Sequence, residues 1–163
     1  MKKLLLFTLI LGLFAGCKKD STPEAPCYVG TWEGSVVNPD DAASASVYYE
    51  SPPTLILYDN NTGVARFTVK STSTSYFAGN KVGVGFTYTV SIDNKFSVNS
   101  IISSTLTIGS GEPVTQTKGT SGILGQDLWV GTAFSTTCQS NKLTINVPPN
   151  LGILKYTGWT RKP

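Results

Sequence analysis

Three thiols and a handful of carboxylates are the groups in this chain with chemistry to offer. Cys17, Cys27 and Cys138 are its only cysteines, and it contains no histidine, which removes the commonest general base, metal ligand and near-neutral pH switch together. Among the acids, Glu33, Glu50, Asp59 and Asp127 fall in or beside strand-like stretches. Hydrolysis of a glycosidic bond would need two of them about 5 to 10 Å apart, and nothing in their spacing demands that. They read as solvated strand-face or turn residues. Thiols without histidine supply too few ligands for a metal. The expectation is a protein that is not an enzyme, with no cofactor and no metal site.

Cys17 is set apart by what precedes it. Lys2 and Lys3 lead into an apolar run over residues 4–14 and the small pair Ala15-Gly16, the order of a bacterial export signal. The run is shorter than the roughly 20 apolar residues a helix needs to cross a bilayer. The segment Phe14-Ala15-Gly16-Cys17 resembles the lipobox of bacterial lipoproteins, with Phe14 where that family usually has Leu. The resemblance implies cleavage after Gly16, a diacylglycerol on the Cys17 sulfur, and lipid anchoring in the bacterial outer membrane, on its periplasmic or cell-surface face. Residues 1–16 are then the signal peptide, 17–26 the lipidated cysteine and a charged, proline-containing tether, and 27–163 the folded domain. Lys18-Lys19-Asp20 is similar to the charged stretch that can direct Bacteroidota-type lipoproteins to the outer face.

Loss of Lys2 and Lys3 leaves 11 of the 13 basic residues against 10 acidic ones, a net charge near +1. No basic patch remains, and the aromatics are not interleaved with Arg or Lys, so nucleic acid is set aside as a partner. With Cys17 carrying lipid, Cys27 and Cys138 are an even pair in an oxidising compartment, which favours a disulfide across a long loop over two separately buried thiols.

The elements that position these groups are strands. The chain is rich in Thr, Ser, Val, Gly and Tyr and poor in helix-forming runs. Residues 28–37 place Tyr28, Trp32 and Val36 on one face at period two. A polar loop over 38–45 and a short strand over 46–50 follow, ended by Pro52-Pro53. Strands over 54–58 and 64–70 flank Asp59-Asn60-Asn61-Thr62-Gly63, whose Asn and Gly suit a hairpin. The clearest alternation sets Val82, Val84, Phe86, Tyr88, Val90 and Ile92 against Gly83, Gly85, Thr87, Thr89 and Ser91. Further strands are expected over 96–102, 104–109, 128–135, 142–147 and 153–161. Eight to ten short antiparallel strands make an all-β protein, a barrel or a sandwich.

Gly30-Thr31-Trp32 opens the first strand and Trp159-Thr160-Arg161 closes the last, and both resemble the ends of lipocalin-like (calycin-like) β-barrels. In that family the Gly-x-Trp indole packs into the closed end beneath an arginine from the last strand region, which here implies the pair Trp32 and Arg161. Thr31-Trp32-Glu33-Gly34 and Tyr156-Thr157-Gly158-Trp159 resemble the opening and closing strands of small lipocalin-like lipoproteins. The resemblance implies an antiparallel up-and-down barrel that binds a small apolar ligand or an envelope component. Phe67, Phe86, Tyr88, Phe96 and Phe134 are the candidates to line such a pocket. Pocket-lining and core-filling residues share one alternation, so the same rings suit a solid core. A filled barrel would serve instead as an interaction module, an accessory subunit or inhibitor. Trp129 and Trp159, with Tyr48, Tyr49, Tyr58 and Tyr76, form either an exposed aromatic patch or cross-strand packing.

The anchor is checked by the intact mass of the protein recovered from the envelope. The expected product begins at Cys17 and carries acyl mass; a chain that begins at Met1, or is cut elsewhere than after Gly16, contradicts it.

Overall fold

The computed structural model describes residues 25–73, 78–117, 130–148 and 156–163. Cys17 lies outside them. The first alternating stretch forms β1 (Gly30–Val37), and a 3₁₀ turn at Pro39–Asp41 leads into α1 (Ala42–Tyr48). The remaining strands are β2 (Thr54–Leu57), β3 (Thr62–Thr68), β4 (Lys81–Val90), β5 (Lys95–Thr107), β6 (Val114–Thr117), β7 (Ala133–Gln139), β8 (Lys142–Ile145) and β9 (Tyr156–Arg161).

All strand pairings are antiparallel. The chain runs up and down from β1 to β5, the start of β5 pairs with β7, and β9 returns to β1, so eight strands close on themselves. β6 is an added strand on the far half of β5. Asn61, Asn94 and Ser140 take left-handed φ values of 62°, 54° and 43° in the β2–β3, β4–β5 and β7–β8 turns, a conformation that short polar side chains tolerate.

The inward residues divide into two clusters. One holds Trp32, Leu55, Leu57, Phe86, Tyr88, Phe96, Phe134, Leu143, Ile145 and Trp159 toward the end where β1 begins. The other holds Ala45, Tyr49, Phe67, Val69, Val82 and Val84 at the opposite end, where α1 lies across the opening. Asn38 ties that crossing down: its buried Nδ2 donates to Val147 O at 3.1 Å, while its Oδ1 accepts from Asp40 N.

Five local expectations are corrected. Residues 42–48 are helix where a loop and a strand were expected: Ala45 and Tyr49 are four apart and both buried, so one face packs on Phe67 and Val69. β5 is one strand where two were expected, because register shifts between Gly85 and Phe86 and between Thr87 and Tyr88 break its alternation without ending its pairing. Register shifts on either side of Val36 in the β1–β9 pairing turn its side chain outward, 54% exposed. Ile92 lies past the end of β4 and is 98% exposed. The strand expected over 128–135 is instead Ala133–Gln139, and residues 128–129 lie outside the described part.

Cys27 and Cys138 are joined, linking the chain just before β1 to β7 across 111 residues of sequence. The chain-entropy model assigns a loop of that length about 4 to 5 kcal/mol. Replacing both cysteines by serine is expected to lower unfolding free energy by up to that amount in denaturant titrations, and a loss below about 1 kcal/mol would show that residual structure already restricts the unfolded chain.

Candidate functional site

Four of the five rings proposed for a pocket pack against one another. Tyr88 stacks on Phe96 with centroids 5.4 Å apart and 19° between planes, while Phe86 meets them at 6.3 and 6.5 Å, edge-on. Phe134 belongs to the same buried cluster. Tyr28 covers Tyr88 edge-on at 6.1 Å, and the Tyr88 hydroxyl donates to Tyr58 O at 2.7 Å. Phe67 is separate, in the cluster beneath α1, 5.6 Å from Tyr49 and 6.5 Å from Tyr48. Deep in the barrel, Trp159 Nε1 has no hydrogen-bond partner among the described residues, a cost of about 1 to 3 kcal/mol for a buried donor left so.

The end nearest the N-terminal side is a clasp. Arg161 Cζ lies 4.4 Å over the Trp32 ring, within cation–π range. Its Nη1 donates to Val29 O at 2.9 Å, its Nη2 to Cys27 O, and its Nε to Ser140 O at 3.2 Å. Trp32 Nε1 donates to Tyr28 O at 2.8 Å. Gly30 has φ +146°, and a Cβ there would lie 2.5 Å from Arg161 Nη1, so the residue two before the tryptophan must be glycine. Beside the disulfide, Tyr28, Val90, Asn94 and Thr136 border a crevice of about 330 Å³.

Among the described residues, the carboxylates singled out from the sequence sit on separate elements. Glu33 pairs with Lys162 at 2.8 Å, a half-exposed bridge worth little. Glu50 is exposed after α1, and Asp59 sits in the β2–β3 turn. Asp127, Trp129 and Tyr76 lie outside the described residues. Among the described residues no group of three His, Cys, Asp or Glu could hold a metal. Tyr49 and Trp159 are core residues that act as packing, Tyr48 is half-buried, and Tyr58 is exposed.

A second concave region, missed in the sequence, lies on the outside of the barrel. Register aligns Thr54, Arg66, Gly83, Thr105 and Thr115 in one row across β2 to β6. The neighbouring rows are Val64, Gly85 and Ser103 on one side, and Thr68, Lys81 and Thr107 on the other. Gly83 and Gly85 leave a trough along β4, and Ser51, Pro52 and Pro113 raise its rim, giving a groove of about 490 Å³. Two glycines on the outward face of the best-defined strand were the available signal, because strand glycines often mark close approach by a ligand or backbone.

Burial, with Tyr28 and Asp59 nearby, pushes the Tyr88 phenol up to about 12. An unfolded tyrosine ionises near 10, so the folded chain holds a proton that the unfolded chain releases. The contribution is complete below pH 10 and is lost as pH rises toward 12. The melting-temperature gap between the parent chain and Tyr88→Phe should therefore stay constant up to about pH 10 and shrink above it; a gap independent of pH would mean that Tyr88 titrates like an exposed tyrosine.

No protein-family model, curated protein or solved structure matches this chain, so its site is read from its own geometry.

Proposed function

We propose that this chain is a lipid-anchored protein of the bacterial envelope, built on a lipocalin-like barrel, that binds an envelope component from its outer surface and carries out no catalysis. The observation that carries the reading is the ring stack of Tyr88, Phe96 and Phe86, which places the residues first proposed for an internal pocket against each other. A ligand inside would have to displace buried aromatic contacts, each pair worth about 0.5 to 1.5 kcal/mol beyond its area.

Further support comes from the arrangement of the two ends. The Trp32–Arg161 clasp and the disulfide fasten the chain where it leaves the tether, ten residues after Cys17. A tether of that length reaches at most about 35 Å. The clasped end is therefore the end joined to the anchor, and α1, the start of β4 and the upper part of the groove lie at the opposite end of the barrel. On this reading the barrel is a rigid support and its outer wall meets the partner.

The test is titration of residues 18–163, which retain every core residue, with the neutral apolar dye N-phenyl-1-naphthylamine. The expected result is no saturable fluorescence increase. One-to-one saturable binding, competed by a fatty alcohol, would return the function to the barrel interior.

A further inference from the structure

We infer that the groove along β4 is the recognition site and that its ligand is a short acidic saccharide, one carrying carboxylate, sulfate or phosphate among its hydroxyls; this rests on reading the barrel as a filled support. The floor of the groove makes the first part of the case. A Cβ on Gly83 would lie 3.5 Å from Thr105 Cβ, an ordinary contact, and the residue is not among those with positive φ. The register shifts of the β4–β5 pairing begin only after Gly85. Neither packing nor backbone conformation requires glycine at 83, and a glycine within a strand weakens it. What the glycine does provide is depth between Arg66 on β3 and Thr105 on β5.

The walls define the chemistry. Arg66 and Lys81 stand at the groove, and among the described residues no carboxylate lines it. A guanidinium and an ammonium at diagonal positions of adjacent strands suit an oxyanion, the first through paired donors and the second as a point charge. Thr105 lies across Gly83 from Arg66, Ser103 lies across Gly85 from Val64, and Thr107 pairs with Lys81, so their hydroxyls, which both donate and accept, border the same groove, as a polyhydroxylated ligand requires. A peptide finds less here, because β4 is paired on both edges and has no row of free backbone groups for strand addition. An acyl chain would meet Val64 and the rim prolines Pro52 and Pro113, with Phe67 and Val82 almost wholly buried beneath, but it would offer nothing to Arg66 and Lys81. The cationic end of the groove lies at the start of β4, away from the clasped end and so away from the anchor.

The test uses the full chain in a non-ionic detergent, titrated calorimetrically with trigalacturonate, a sulfated trisaccharide, maltotriose, hexaglutamate and inorganic sulfate. At least one acidic trisaccharide is expected to bind at least tenfold more tightly than maltotriose, hexaglutamate and sulfate. Arg66→Gln should weaken that binding about tenfold or more, and added salt should weaken it in the parent more than in the variant. Gly83→Val should abolish binding while leaving the melting temperature within a few degrees of the parent, and Gly83→Ala supplies the milder change should valine disturb the strand. Failure of both acidic trisaccharides to bind, or equal binding by maltotriose, hexaglutamate or sulfate, overturns the groove assignment. Saturable uptake of the neutral apolar dye would overturn the filled-support reading separately.

Discussion

Closure of the sheet is the constraint on which the rest of this structure depends. An eight-stranded barrel has an interior of fixed width, just enough for inward side chains to fill or for one small ligand to occupy. Here the inward positions of β4, β5 and β7 carry Phe86, Tyr88, Phe96 and Phe134 in one buried cluster, where Trp32 and Trp159 join them. The stacked Tyr88–Phe96 pair shows how that width is used. With large rings inside, these inward positions are occupied by side chains packed on one another.

Each end of the barrel is then closed by a different device. At one end Arg161 spans the Trp32 indole and three backbone carbonyls, joining the residues before β1 to the β7–β8 turn. Gly30 is the counterpart of that span, since any side chain there would meet the guanidinium. At the other end no arginine is involved: α1 lays Ala45 and Tyr49 over Phe67, Val69, Val82 and Val84. The first device also carries the disulfide, so that end is fastened covalently as well.

The sequence made the alternation of β3 and β4 legible because both are long, regular and backed by a buried face; Ala65, Phe67, Val82, Val84, Phe86 and Tyr88 all lie inward as their spacing requires. It also made the Cys27–Cys138 pairing legible through simple counting. It misled where the backbone leaves ideal register. Val36 and the middle of β5 sit at register shifts, where one extra residue reverses which face a side chain occupies. Residues 42–48 are too short for helical periodicity to stand out, and what makes them helical is the packing surface supplied by β3 and β4.

What the sequence by itself determined is composition and local pattern: no histidine, three cysteines, and strands rather than helices. Whether the aromatic residues line a pocket or fill it was decided only by the tertiary structure, because alternation records the face a residue occupies and not the distance to the ring opposite. The groove over Gly83 and Gly85 has the same origin. Its rows join residues of β2 through β6 that are far apart in the chain, and only pairing register brings their side chains to one surface.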